Sequence, residues 1–468
     1  MKKQNKKQNV IISMLITCFC FMTIGYAALS QQLKINGTAK ITGNWDIQFT
    51  NIVPKAYGGA INKVVPTGIG TTTVTFNVEL NEPGDRMEYL ITVSNLGNID
   101  AIIESINITS SENDDIIYKV TRIEEGNVLK ANETKDFKVI VEYNLGATTT
   151  TQSTKTLTVN INYVQQQGSN VTVKEEPEYI TYTDLRSLAV TEGDGLYIDE
   201  TDPGRYIYRG ANPDNHIIFN NEPWRILSVE SDGTLKIVKS GNIAKMYWDN
   251  PNTRNKATST YCQNASNIGC NAWAATSNLD ENPNKFTIYS PNGGTSGSSY
   301  SGTVIKDANI NTYLNNTYYG RLGIDKIYIV PHDFYVSTPG GSSDEESIAT
   351  NVEQEKQYIW NGKVGLISVT EYLKTSTNDE CTNLKTAFLN NSVCGNNNWL
   401  KPGANANYWT ISPTANYIRG MIMCISPTGQ VYDRYTNLAE NVRPVIHLSS
   451  DIQLTGSGTS TDKYKIVE

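Results

Sequence analysis

The sequence predicts a multi-domain chain in which an all-β sandwich is followed by an α+β unit. Three observations carry that reading. Tyr and Gly are abundant, with 27 and 35 of 468 residues, and such a composition favours strands and turns over helices. The first third alternates apolar and polar residues between turn signals, most strictly over Thr73 to Leu80, which is the period of a half-buried strand. Beyond a polar break near residue 165, strand patterns mix with a few helix-period ones, as in α+β proteins.

The N-terminus comes first in order. Lys2, Lys3, Lys6 and Lys7 precede an apolar run from Val10 to about Tyr26, and small residues close it at Gly25, Ala27 and Ala28. Positive, apolar, then small is the order of a secretory signal peptide, expected over residues 1–28. The alternative is a retained membrane anchor, since a spanning helix needs about 20 residues. Either way the membrane is met only through this segment. No second long apolar run follows, which predicts a soluble remainder. The formal net charge is −8, and −8 less the four lysines of the leader is −12. Such an acidic chain is a poor partner for nucleic acid or anionic lipid, which need basic surfaces.

Residues 29–164 read as the sandwich. Leu33 to Ala39 alternates ahead of a turn at Thr42-Gly43-Asn44. Tyr89 to Val93 follows the turn Pro83-Gly84-Asp85, and Asn95 to Asn98 turns again. Phe137 to Tyr143 and Leu157 to Tyr163 supply later strands, with the Thr-rich Ala147 to Thr156 expected as a hairpin loop between them. Seven or eight strands with regular turn signals argue a β-sandwich.

The segments Gly25 to Ser30, Leu33 to Lys40 and Trp45-Asp46-Ile47 resemble the start of the camelysin and biofilm-matrix fibre proteins of Gram-positive bacteria. Val93 to Ala101 looks like the same sandwich class. The resemblance implies an exported protein whose leader is cut by a dedicated signal peptidase. Some relatives are described as metallopeptidases, but this chain has no HExxH and the sandwich has no His, so that activity does not carry over.

Residues 165–184 lose the pattern. Gln165 to Ser169 and Lys174 to Glu178 read as a polar linker, the expected flexible joint. The second unit, residues 185–468, opens with a hairpin in which Trp224 to Val229 and Thr234 to Val238 flank Asp232-Gly233. Asp307 or Asn309 could cap a helix carrying Ile310, Leu314, Tyr318 and Leu322 on one face. Val364 to Ser368 reads as a strand leading into a helix around Thr370 to Leu373. Pro291 to Gly302 is Gly/Ser-rich and reads as surface loop.

The last 60 residues carry Tyr408 to Pro413 with its Trp-x-x-Ser-Pro turn, a hairpin at Gly429, and the closing strand Asn441 to Leu448 through Val442-Arg443-Pro444. These features, with Leu314 to Tyr319 and Gly365 to Tyr372, resemble a family of bacterial surface domains that is itself similar to the C-type lectin-like and formylglycine-generating-enzyme folds. The resemblance covers most of residues 206–467 and implies a C-type lectin-like domain.

Five cysteines follow the leader, all in the second unit. Short separations pair Cys262 with Cys270 and Cys381 with Cys394, as local disulfides of an oxidising compartment. Cys424 remains, flanked by apolar residues, and reads as a buried free thiol. A metal site is disfavoured by the missing CxxC pair and only three His, at 216, 332 and 447. Asp280-Glu281-Asn282 and Ser343 to Glu346 could hold calcium but read as solvated loops. Trp409, Arg443 and Pro444 are structural landmarks, with Trp409 expected in the core and Arg443 bonding a carboxylate or carbonyls; the alternative places Trp409 and Arg443 in a binding surface, where such residues often dominate contacts.

No catalytic residue, cofactor motif or ligand-binding residue stands out: the chain lacks a phosphate loop and a GxSxG, and its cysteines look locally paired. The expectation is a non-enzymatic protein, secreted or at the cell surface, in adhesion or recognition of an extracellular polymer or protein. The alternative is a matrix or fibre subunit that self-associates through the sandwich, by donating Leu33 to Ala39 to a neighbour's sheet edge.

Overall fold

The computed structural model describes residues 43–468 apart from 64–65, 67, 111–114, 148–152, 176–177, 251–268, 282–303, 305, 390–392, 404–405, 415–419 and 468. The leader, the strand expected over Leu33 to Ala39, Cys262 and the Gly/Ser-rich loop therefore lie outside the described residues.

Nine strands build the first unit: β1 (Ile47–Tyr57), β2 (Ile61–Asn62), β3 (Thr73–Leu80), β4 (Arg86–Asn95), β5 (Ala101–Ser110), β6 (Ile116–Thr121), β7 (Val128–Leu129), β8 (Thr134–Tyr143) and β9 (Ser153–Gln165). One sheet runs β1-β4-β8-β6 and the other β2-β3-β9-β5-β7. Alternation produces the layering, because every second side chain leaves a strand on the same face. Met87, Tyr89, Ile91 and Val93 of β4 meet Val74, Phe76 and Val78 of β3 in one core. Phe76 stacks on Tyr89 with ring centroids 4.0 Å apart, which locks one layer on the other. The turn before β4 is set by Asp85, whose carboxylate accepts from the backbone N–H of Gly59, Asn81 and Glu82 at 2.6, 2.7 and 3.0 Å.

The expected hairpin over Ala147 to Thr156 is a crossover instead. β8 pairs with β4 and β6, whereas β9 pairs with β3 and β5 and already begins at Ser153, opposite Leu80. An amphipathic strand buries the same face whether its neighbour in sequence lies beside it or across the core, so alternation does not choose the partner.

The second unit holds three sheets. The largest has the path β17 (Ile329–Val330), β25 (Val445–Leu448), β14 (Leu235–Lys239), β13 (Glu222–Val229), β12 (His216–Phe219), β27 (Tyr464–Val467) and β26 (Gln453–Thr455). The hairpin β10 (Gly195–Ile198) and β11 (Tyr206–Arg209) joins it through β13, and β20 (Val364–Gly365) through β25. A five-stranded sheet follows the order β15 (Ala244–Tyr247), β24 (Ala439–Val442), β21 (Tyr408–Pro413), β22 (Met421–Ile425) and β23 (Val431–Tyr435). The third sheet is β16 (Asp280–Glu281), β19 (Tyr358–Gly362) and β18 (His332–Tyr335). The hairpin of β13 and β14 turns where the sequence placed it, with Gly233 at φ +86° and its α-carbon against the Tyr182 ring, a place no side chain would fit.

Helices are short. Ile310, Leu314, Tyr318 and Leu322 are buried on one face as their spacing predicts, but the run is Asn309–Thr312, a π-helical stretch Tyr313–Tyr318, and Tyr319–Arg321. Its N-cap is Ala308, with no side-chain cap. Asp307 accepts from the Ala275 backbone N–H at 2.7 Å and Asn309 from that of Asn250 at 2.7 Å, so both expected caps serve loops distant in sequence. No helix among the described residues is long and apolar enough to cross a membrane.

Among the described residues two large hydrophobic cores result, one drawn from residues between Phe49 and Ile161, the other from residues between Leu185 and Tyr464, beside a small cluster of Cys270, Ala272 and Val304. The polar stretch between them is not loose. Lys174 N–H donates to Gly126 O at 2.9 Å, and Ile180 exchanges two backbone hydrogen bonds with Leu454, both 2.8 Å. A helix, Tyr182–Ser187, begins within the expected linker, capped by Thr181 and Asp184. The outer face of β4 and β8 is buried as well. Arg86, wholly inaccessible, pairs with Glu88 and Glu142, Lys138 pairs with Glu88, and Arg86 Nη2 donates to Tyr328 Oη of the second unit at 3.2 Å.

Arg86 is thus a buried cation on which two carboxylates depend. Arg86→Met is expected to lower unfolding stability by roughly 3–5 kcal/mol, the cost of breaking a buried ion cluster. Lys55→Ala removes an exposed ion pair to Asp451 and should cost under about 1 kcal/mol. Urea midpoints of the two variants check the contrast; equal shifts would mean that the Arg86 cluster is solvated.

Candidate functional site

Polar side chains gather in two places in the second unit. The first is a buried cluster centred on Arg205, which precedes β11. Its Nε donates to both Glu230 oxygens at 3.1 and 3.0 Å, Nη1 to Asp199 at 2.8 Å, and Nη2 to Ser228 and Glu371 at 2.9 and 2.8 Å. Lys236 of β14 bonds Glu371 and Lys374 bonds Asp199, both at 2.5 Å. Three cations face three carboxylates, so the cluster is neutral as a whole. Burial alone would raise the Asp199 carboxyl, but Lys374 and Arg205 outweigh it and hold it at about 2. Glu371 and Glu230 are held down the same way against burial, by Lys236 and Arg205. Glu371 also closes a capping box with Ser368 at the start of the helix Val369–Lys374, which fixes that helix against β13 and β14.

Beside this cluster lies a cavity of about 30 Å³, with Glu355, His332, His447 and Tyr335 in its wall, large enough for one water. Glu355 is buried and has no cation. Burial pushes its carboxyl up to about 7, against the hydroxyls of Thr370 and Ser412 that bond it. His447 stacks on His332 with ring centroids 3.9 Å apart. Burial, aided by the His332 charge, holds the His447 imidazole well below its ordinary value, so it is neutral. The cavity is too small for an organic substrate, and most of its polar groups bond one another.

The second place is open to solvent. Residues Ser240 to Ile243 cross from β14 to β15, and Gly241 and Asn242 are exposed there as a wall shared by two hollows. On one side is a cleft of about 450 Å³ lined by Tyr313, Tyr318, Leu322, Ile243, Asn220 and Arg321. The π-helical stretch points both tyrosines there. On the other side is a pocket of about 140 Å³ with Arg225, Arg443, Lys401 and Trp399. Arg443 Nε donates to Lys239 O at 3.1 Å and Nη1 to Leu400 O at 3.2 Å. Arg225 lies over the Trp399 ring at 4.9 Å and Nη2 donates to Pro213 O at 3.1 Å. Burial and then the charge of Arg443 push the Arg225 guanidinium down to about 10, which Asp214 offsets only in part.

The sequence landmarks fall around this region. Trp409 is wholly buried in β21, its Nε1–H donating to Met246 O at 3.0 Å. Pro444 accepts from the Lys239 backbone N–H at 3.0 Å. Arg443 bonds carbonyls, as its structural reading expected, and also lines the pocket. Cys381 and Cys394 are disulfide-bonded. Cys270 is disulfide-bonded too, while Cys262, the partner expected for it, lies outside the described residues. Cys424 is free and buried opposite Trp409 in β22. Asp280 and Glu281 form β16, and Glu345 pairs with Lys385. Of the three histidines, His332 and His447 stack on one another, which their positions in the sequence did not show. Arg225, Trp399 and Lys401 drew no attention in sequence. The one signal was Arg225, a charged residue within the largely apolar strand Trp224 to Val229.

No protein-family model matches the chain, and no curated protein and no solved structure shows significant similarity to it.

Two outcomes follow from the charges. Arg205→Met strands Glu230 in the core, while Glu371 keeps Lys236, and should cost roughly 3–5 kcal/mol; adding Glu230→Gln should return part of that loss, a coupling that a double-mutant cycle in urea measures directly. Glu355 has its folded-state carboxyl at about 7 against an ordinary 4.5, so the folded chain holds that proton more tightly than the unfolded one. The stabilisation is complete below about pH 4.5 and is lost as pH rises through 7, up to about 3 kcal/mol. Glu355→Gln should therefore match the parent protein at pH 4.5 and exceed it at pH 8. Stability curves that stay parallel from pH 4.5 to 8 would show that Glu355 is ionised throughout.

Proposed function

We propose that the chain is an exported surface protein that recognises an extracellular ligand and catalyses no reaction. The observation that carries this reading is the pair of hollows on either side of Gly241 and Asn242. They combine aromatic rings, amides and cations on a scaffold of strands, as recognition sites do, and they hold no nucleophile positioned beside a base. The buried clusters around Arg205 and Glu355, by contrast, face inward and bond themselves. Export is supported by the leader-like residues 1–28 and by the Cys381–Cys394 disulfide, which fits an oxidising compartment. A lectin-like second unit, in the sense of the resemblance drawn from its closing strands, would place such a site on a loop-bearing face.

A second reading, a fibre or matrix subunit, draws on β1. Among the described residues its ladder partner is β4 on one side, and on the other it has a single bridge, Phe49 to Ile69. An edge of 11 residues is a place where a neighbour's strand could add.

The discriminating experiment is an array of glycans and extracellular proteins probed with the mature chain and with Asn242→Trp, whose indole would fill both hollows from their common wall. The expected result is a ligand bound by the parent protein and lost by at least tenfold in the variant, with unchanged urea stability. A ligand bound equally by both would place recognition elsewhere, and concentration-dependent fibres with a blank array would favour the subunit reading.

A further inference from the structure

The pocket at Arg225 and Arg443 differs from the other buried cations of the chain. Arg205 meets three carboxylates and Arg86 meets two. Neither Arg225, Arg443 nor Lys401 makes an ion pair among the described residues, and none of the ten described residues lining the pocket is acidic. Arg443 is 8% exposed and Arg225 half-buried, so the two like charges share a pocket in which solvent screens them only in part. Holding two guanidinium groups in that way is unfavourable unless an anion joins them. Each is also oriented by its own carbonyl bonds, so the forks are in place before anything arrives, which lowers the entropic cost of binding.

We propose that this pocket binds the carboxylate of an acidic saccharide, with the rest of the sugar passing the Gly241–Asn242 wall into the tyrosine-lined cleft. The proposal rests on the reading of the two hollows as a recognition site and names the ligand class for it. Arg225 donates through Nε and Nη2 to Asn215 Oδ1 and Pro213 O, and Arg443 through Nε and Nη1 to two carbonyls, so an oxyanion would meet the remaining Nη of each, and Lys401, exposed at the rim, adds a third positive charge. The cleft next door supplies what a hydroxylated ring needs. Tyr313 and Tyr318 give aromatic surface for its C–H face, and Asn220 and Asn242 give amide donors and acceptors for its hydroxyls. The aromatic surface favours a sugar ring over an acidic peptide; Glu222 of that cleft is paired with Lys239 at 3.1 Å and adds no net repulsion, so the peptide arm of the test decides between them.

The test is calorimetric titration of the full mature chain with glucuronate, glucose, inorganic phosphate and a tetra-aspartate peptide, at low and at physiological salt. Glucuronate should bind, glucose at least tenfold more weakly, and raising the salt should weaken glucuronate. Lys401→Glu, at an exposed position, should weaken glucuronate tenfold or more with unchanged stability; Arg225→Met does the same if it folds. Phosphate binding as tightly as glucuronate would replace the carboxylate by a phosphate source and overturn the saccharide assignment, and so would tighter binding of the peptide. Glucose equal to glucuronate, or no effect of Lys401→Glu, would overturn the oxyanion site. The two readings fail separately. A neutral array ligand that Asn242→Trp abolishes, with no glucuronate binding, keeps the recognition site and removes the anion. Glucuronate binding that Lys401→Glu abolishes, beside an array ligand indifferent to Asn242→Trp, keeps the anion and removes the wider site.

Discussion

Arg205 is the constraint on which the second unit is built. A guanidinium stripped of water is tolerated only when each of its donors finds an acceptor and its charge finds an opposite. Here the acceptors come from three places in the chain: Asp199 after β10, Ser228 and Glu230 at the end of β13, and Glu371 in the helix Val369–Lys374. Satisfying one side chain therefore fixes a hairpin, the central sheet and a helix at once. Lys236 and Lys374 complete the balance by answering the carboxylates' remaining lone pairs. Such a cluster adds little net stability compared with an apolar core of the same volume, but it admits a single arrangement.

Around that centre the packing is aromatic. Trp273 meets Trp248 and Trp360 edge-on, with ring centroids 5.7 and 5.5 Å apart, and Phe334 joins Trp360 to His447. These rings belong to two sheets and to loops with little regular structure. Large flat side chains suit that task, since one ring covers much surface at small entropic cost. The disulfide between Cys381 and Cys394 closes a loop from which Asn398 and Trp399 follow. Trp399 Nε1–H then donates to Tyr208 O at 2.9 Å, so the ring under Arg225 is held by the strand that follows Arg205. The closed cluster and the open basic pocket share a framework, and they differ in one respect: carboxylates answer the first and none answers the second.

Sequence by itself determined what is local. Period-two alternation placed β3, β4, β8 and β9, the Asp-Gly pair placed the hairpin of β13 and β14, and the spacing of Ile310, Leu314, Tyr318 and Leu322 gave the buried helical face. Cys381 and Cys394 were near enough to pair, and Cys424 sat in a strand whose neighbours said it was buried. Each of these depends on residues within about fifteen positions, where backbone geometry and side-chain direction follow from the chain itself. Tertiary structure decided everything that joins distant segments. It put β8 and β9 in opposite sheets, turned Asp307 and Asn309 from caps into loop ties, stacked His332 on His447, and tied the polar stretch before residue 184 to both units. It also brought Arg225, Lys401 and Arg443 to one pocket across more than two hundred residues. The physical reason is common to all of these: burial rewards any partner of the right shape and charge, and only the folded chain says which one is within reach.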